Sequence, residues 1–363
     1  MATPSYFDIT GQADSLAATA ALAADVAVPG ADRPWVFVGC GASYHAGTAA
    51  AGLLNVLGGF AESAPASDLW MNPDVWLRPG SVVVGLSRTG TTTETAAALR
   101  VARQHGAHTI GISLAPGTPV VTEVDTPVVL DHVGEDGRVM TRSFANLLVA
   151  AQSLAVSAAV AAGSATEAEV DRYRGGLRAL PAAVEGAIPA FDDVARAVAG
   201  SGSPHVVFLG SGPDLGLCRQ AALQMQETAR PAVEAHAVLD YRHGPLSTLT
   251  PDSLVVLLST DRSLPADLVL AEDVRVLGGT LVAVGPAAVV DRLPDHVERV
   301  GTPGSLPRWL AGNVALPFLQ LLAYHLTLAR HADPESVRNL DRTKQPHVNP
   351  HVLPTDLLDD PAA

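Results

Sequence analysis

The segment Phe37-Val38-Gly39-Cys40-Gly41 returns as Phe208-Leu209-Gly210-Ser211-Gly212, about 171 positions further along the chain. Leu86-Ser87 returns as Leu258-Ser259 at nearly the same offset, and Thr109 returns as Thr280. A repeat of that length is one domain written twice. Any fold for this chain must therefore bury two cores of the same design. The chain has 363 residues, enough for two such copies, and 48% are hydrophobic, enough to fill them.

Each copy alternates strand and helix patterns. In the first, Trp35 to Gly39 reads as a buried strand running into Cys40-Gly41-Ala42-Ser43-Tyr44, with Ser43 as the helix cap and a helix to about Leu57. Val82 to Leu86 is a second strand, His108 to Leu114 a third and Val128 to Leu130 a short fourth, before a long buried helix from Ser143 to Val160. In the second copy the strands are His205 to Gly210, Leu254 to Ser259 and Thr280 to Val284. Its helices are Leu215 to Ala229, Leu264 to Leu277 and Leu306 to Arg330, the last kinked at Pro317. The alternation predicts βαβ units, hence an α/β fold with parallel sheets covered by helices on both faces. The domain plan is an arm and helix over 1–27, the first copy over 28–165, a helical connection over 166–203, the second copy over 204–332 and a tail over 333–363.

The formal charge is −14, with no basic patch, which argues against nucleic acid as a partner. Two cysteines, Cys40 and Cys218, make no disulfide framework, and no Cys/His cluster points to a metal. No cofactor is expected. The first eleven residues lack the basic start of a signal peptide. The longest apolar run, Leu147 to Ala162, is interrupted by Gln152 and falls short of the ~20 residues of a membrane span. A cytoplasmic protein without membrane contact is the expectation.

The stretch Val82 to Arg100 carries the chemistry. After the strand come Ser87, Arg88, Thr89, Gly90, Thr91, Thr92 and Thr93, and helical spacing starts at Thr92 or Thr93. A loop at a helix N-terminus presents unpaired N–H groups and a positive dipole end. Added hydroxyls, a glycine for close backbone approach and an arginine suit a phosphate. It is not a Walker loop, since no Gly-Lys-Ser/Thr follows. The plainer alternative is a strand-to-helix turn capped by threonine. The second copy carries Thr260-Asp261-Arg262 in place of Arg88-Thr89-Gly90. An aspartate there repels an anion, so the phosphate site is expected in the first copy alone.

Four motifs in this order, Cys40 to Gly47 (CGASYHAG), Ser87 to Thr95 (SRTGTTTET), Tyr241 to Leu246 (YRHGPL) and Arg338 to Arg342 (RNLDR), give the chain its resemblance to sugar isomerase (SIS) domain proteins. It resembles in particular the isomerase half of glucosamine-6-phosphate synthase, from about Trp35 to Thr343. The resemblance implies two tandem flavodoxin-like SIS domains. It implies that Gly41, Ser43, Ser87, Arg88, Thr89 and Thr92 surround a sugar 6-phosphate. Glu227 would take the proton from C2 of the open-chain sugar; read alone, it is an exposed helical glutamate. His243 would assist ring opening, reaching the neighbouring subunit's site in a homodimer; read alone, it is a turn residue. Glu135 and the loop to Thr141 would close over the sugar.

Two positions depart from the synthase. Gln224 replaces a lysine three residues before the catalytic glutamate, and Arg342 replaces the tail lysine that forms an imine with the sugar carbonyl. A guanidinium stays protonated and makes no imine; Lys344 substitutes only if the tail slips. These changes turn the expectation toward β-elimination of water from an N-acetylglucosamine 6-phosphate or a close relative. The alternatives are isomerisation or deamination of an amino sugar 6-phosphate, or a non-catalytic sugar-phosphate sensor. A sensor has no use for Glu227 and His243. The roles of His347 and His351 in the tail stay open.

Overall fold

The computed structural model describes residues 2–303 and 306–340. Arg342, Lys344, His347 and His351 lie outside them. The chain starts with α1 (Pro4–Thr10), a short helix where an arm was expected, and α2 (Ala13–Ala24). Then come β1 (Pro34–Gly39), α3 (Ala42–Val56), β2 (Phe60–Pro65), α4 (Ala66–Met71), α5 (Pro73–Trp76), β3 (Val82–Ser87), α6 (Thr93–Gln104) and β4 (His108–Ser113). α7 (Pro119–Thr122), β5 (Thr126–Val129), α8 (Arg142–Ala162) and α9 (Glu167–Ala199) complete the first half. The second half runs β6 (His205–Gly210), α10 (Asp214–Glu227), β7 (Ala232–Ala237), β8 (Ser253–Leu258), α11 (Leu264–Leu277), β9 (Thr280–Pro286), α12 (Ala287–Val290), β10 (Glu298–Thr302) and α13 (Arg308–Ala329).

Two compact units result. Among the described residues, one holds Asp14–Glu135, Arg142–Arg178 and 338–340; the other holds 2–13, the loop Asp136–Thr141 and most of 179–337. The helical connection is thus one 33-residue helix, α9, whose residues are divided between the units.

In the first unit the strand order is β2-β1-β3-β4-β5, and every pairing is parallel. In the second it is β10-β9-β8-β6-β7, again all parallel. Read from the repeat, both are the order 2-1-3-4-5. The inner strands are buried on both faces, which is why they read as unbroken apolar runs. Trp35, Phe37 and Phe208 are fully enclosed. Each buried side chain of this size contributes about 1.5–3 kcal/mol. In a 2-1-3-4-5 sheet the chain reverses direction between the first and third strands, and a crevice opens beyond their carboxyl ends. In the first unit, that crevice lies between the turn after β1 and the turn after β3.

α8 departs from expectation in length. It is 21 residues, long and apolar enough by length and composition to cross a membrane, but 83% of its apolar window is buried within the fold, where it packs on α3. Its apolar surface is core.

Candidate functional site

The first turn leaves β1 through Gly39. A β-carbon there would lie 2.8 Å from the Ser43 backbone, so glycine is what lets α3 start so close to the strand. Gly41, with φ of 53°, is the residue preceding the helix. Ser43 therefore sits inside the first turn of α3 and is not its cap, a correction to the sequence reading. It is buried at the mouth of the turn.

The second turn is tighter. Ser87 ends β3 with its hydroxyl 3.0 Å from that of Thr92, and it accepts the N–H of Gly90 at 3.0 Å. Thr92 is the residue before α6, yet its side chain makes no capping bond to that helix; its hydroxyl is turned to Ser87. A threonine cap would spend that hydroxyl on the helix, and here it does not. Thr89 is exposed and accepts a bond from the Thr91 hydroxyl at 3.0 Å. Gly90 has φ of 66°, and a β-carbon on it would collide with the Thr118 hydroxyl. Its need for glycine thus comes from this packing.

Arg88 donates to Glu135 at 3.0 Å. The Glu135 side chain is 3% exposed and also accepts the Ser143 N–H at 2.9 Å and its hydroxyl at 2.5 Å. Glu135 thus holds the start of α8 and anchors Arg88 beside the loop. No residue pattern signals this pairing; the resemblance implied that Glu135 closes over the sugar.

The rest of that loop is held within the second unit. Asp8 of α1 accepts the N–H of Asp136 at 2.9 Å and of Gly137 at 2.6 Å. Gly137 lies so close to α1 that a β-carbon would meet the Ser5 hydroxyl at 2.7 Å. Glu335 accepts the Ser5 N–H at 2.9 Å from the other side. Thr3 and Ser5 hold its carboxyl below the usual range despite its burial. The N-terminal residues are thus a clamp on this loop, which their polar sequence did not reveal.

Glu227 is the last residue of α10, half-buried, with Gln224 one turn earlier and fully buried. At the end of the helix the Thr228 hydroxyl donates to the Gln224 carbonyl at 2.8 Å, and Arg230, with φ of 57°, takes the left-handed turn that leaves it. His243 follows a short 3₁₀ turn (Asp240–Arg242) and is exposed, with Gly244 at φ of 140° behind it. Tyr241 beside it is enclosed, and burial pushes its phenol up to about 12. Ser87, Thr89, Thr92, Arg88 and Glu135 are thus gathered in the first unit, with Ser43 on the neighbouring turn. Gln224, Glu227 and His243 belong to the second. Among the described residues no group of three or more His, Cys, Asp or Glu is placed to hold a metal ion.

The family model for the SIS domain matches residues 33–157 and 201–298, one match over each sheet. The chain belongs to the SIS family. Its repeat is thereby two SIS domains in tandem, each a three-layer α/β unit. Over 321 residues this SIS chain is 31% identical to the glutamine–fructose-6-phosphate aminotransferase (isomerizing) of Aeropyrum pernix, covering 87% of itself and 51% of that protein. Over 338 residues it is 28% identical to the enzyme of the same name from Caulobacter vibrioides, covering 55% of it. The chain spans about half the length of the curated relatives it matches. In fold it is similar to the C-terminal domain of glucosamine-fructose-6-phosphate aminotransferase from Francisella tularensis, with a TM-score of 0.85 at 23% identity over 93% of this chain and 98% of that one. It is also similar in fold to glucosamine-6-phosphate deaminase from Thermotoga maritima, with a TM-score of 0.76 at 24% identity, over 94% and 99% respectively.

Proposed function

We propose that this SIS protein is a phosphosugar enzyme in which Glu227 removes the C2 proton of an amino sugar 6-phosphate. The observation that carries the reading is the hydroxyl pair of Ser87 and Thr92 at the crevice of the first sheet, left uncommitted to the helix they precede. A 6-phosphate seated on these hydroxyls, on Thr89 and on the start of α6 gains charge-assisted hydrogen bonds. It acts as a remote handle that fixes the reacting carbons. Ser43 and Gly41 line the neighbouring turn, and Arg88 adds charge from a position fixed by Glu135.

The chemistry starts at the sugar carbonyl. His243 opens the ring, since an imidazole both gives and takes protons. The C1 carbonyl then acidifies the C2 hydrogen for Glu227. From the enol, loss of the C3 hydroxyl gives a 2,3-unsaturated sugar, and return of a proton at C1 gives a ketose. We favour loss of water from N-acetylglucosamine 6-phosphate. An acetamido group at C2 blocks the ketose exit, and Arg342 stands where imine chemistry needs a lysine, with Gln224 in place of the lysine before the glutamate. The second reading is isomerisation or deamination of an amino sugar 6-phosphate. It is favoured by the likeness to the Thermotoga deaminase, which is matched over 99% of its length.

Turnover in deuterated water decides between them. Elimination yields a product lighter by one water with a new ultraviolet absorbance. A ketose of unchanged composition labelled at C1, or released ammonia, rejects elimination in favour of the second reading.

The same reading makes the protein a homodimer in the cytoplasm, with His243 completing the partner chain's site. The exposure of His243 fits this role. Mixing Glu227→Gln chains with His243→Ala chains, each inactive alone, is expected to restore activity through hybrid dimers with one intact site. Exchange of subunits without recovery shows that His243 serves its own chain or none.

A further inference from the structure

The second sheet has the same crevice, between the turns after β6 and β8. Its β8 turn keeps the hydroxyl pair of the first. Ser259 follows the strand as Ser87 ends its own, and Ser263 precedes α11 as Thr92 precedes α6. What differs is what the hydroxyls touch. In the first turn they bond each other, which spends one of their two hydrogens and leaves the other for an outside acceptor. In the second, Ser259 donates to Asp267 at 2.5 Å and Ser263 donates to the same oxygen at 2.8 Å. Both hydrogens are consumed.

The backbone donors of that turn are also satisfied internally, Thr260 N–H by the Ser263 hydroxyl and Ser263 N–H by the Thr260 hydroxyl. Asp267 is fully buried, and its other oxygen, Oδ1, is buried without a hydrogen-bond partner. A carboxyl is held there at a cost in desolvation, so its place needs a reason. Asp267 is the fourth residue of α11; the fourth residue of α6 is Ala96, a buried methyl. At this helical position the second copy carries a carboxyl where the first carries a methyl. Asp261, where the first turn has Thr89, is separately paired with Arg308.

We infer that Asp267 is a built-in occupant of the second turn's oxyanion seat, and that it is the residue limiting this chain to one phosphate site. The ligand class it displaces is a phosphate monoester or inorganic phosphate. The inference rests on the reading of the Ser87 turn as a phosphate seat.

The reciprocal exchange tests it, with inorganic phosphate as the probe and equilibrium dialysis as the count. Measurement at about pH 6 lies below the value of about 7 to which burial pushes the Asp214 carboxyl at the start of α10. The wild type is expected to hold one phosphate per chain and Asp267→Ala two. Asp267→Asn keeps an acceptor oxygen for both serines and is expected to hold one. Ala96→Asp is expected to fill the first seat and weaken phosphate binding at least about tenfold. One phosphate per chain in both the wild type and a folded Asp267→Ala overturns the inference. If that variant does not fold, Ala96→Asp decides: wild-type affinity overturns the inference and the loss supports it. A wild type that holds none beside an Asp267→Ala that holds one refutes the phosphate reading of the Ser87 turn and leaves the assignment of Asp267 standing.

Discussion

Glu227→Gln is expected to lower turnover of the sugar phosphate by about 10²–10⁴-fold, the range of a lost general base, while leaving substrate binding nearly unchanged. In the proposed reading the phosphate handle is on the Ser87 turn, so removing a proton acceptor at the end of α10 takes away no binding group of that handle. The amide is the same size as the carboxyl, so α10 and the Thr228 bond to Gln224 in its last turn are preserved. The measurement is kcat beside the dissociation constant of the sugar phosphate, with exchange of the C2 hydrogen for solvent deuterium as a second readout. Exchange at the wild-type rate in Glu227→Gln assigns the base to another residue. A parallel loss of affinity and turnover makes Glu227 a binding residue.

Asp214→Asn is expected to raise stability at neutral and alkaline pH and to do little near pH 4. Asp214 opens α10, is fully buried, and lies against α13, where a β-carbon on Gly312 would come within 2.3 Å of its Oδ1. Burial alone pushes its carboxyl up to about 7 from 3.8. Between those values the folded chain holds a proton that the unfolded chain has released. Stability from this group is therefore full below the unfolded value and falls as pH rises through the folded one. A shift of about three units amounts to about 4 kcal/mol at most by pH 8. Asparagine keeps the shape without the ionisation. The difference in unfolding free energy between variant and wild type, followed by denaturant titration from pH 4 to 8, should grow in favour of the variant across that interval. A difference that stays flat across it shows that Asp214 is not buried uncharged. The cost at neutral pH falls on the residue matching Ser43 by the repeat offset, so both turns of the second crevice have exchanged a neutral residue for an acid.

The inner strands were legible because they are covered on both faces, and β6 lies at His205 to Gly210 as the apolar run predicted. Three edge strands were not. β2 (FAESAP), β7 (AVEAHA) and β10 (ERVGT) have one neighbour each and carry no continuous apolar run. Their pairing with β1, β6 and β9 makes them strands. β5 was anticipated two residues late for the same reason. At the site, the hydroxyl loop was visible as composition, whereas the direction of the Thr92 side chain was not.

What the sequence determined by itself was the duplication, the α/β class and the difference between the two loops, because these depend on periodicity and residue type along the chain. Only the tertiary structure decided which donors remain available. Glu135 is committed to Ser143 and Arg88, Asp8 to the 136–137 backbone, and Asp267 to Ser259 and Ser263. Each is an acid whose partners include residues outside its own helical turn or loop. A hydrogen bond depends on distance and angle in space, so a carboxyl that fills a seat and one that leaves it open look alike until the chain has folded.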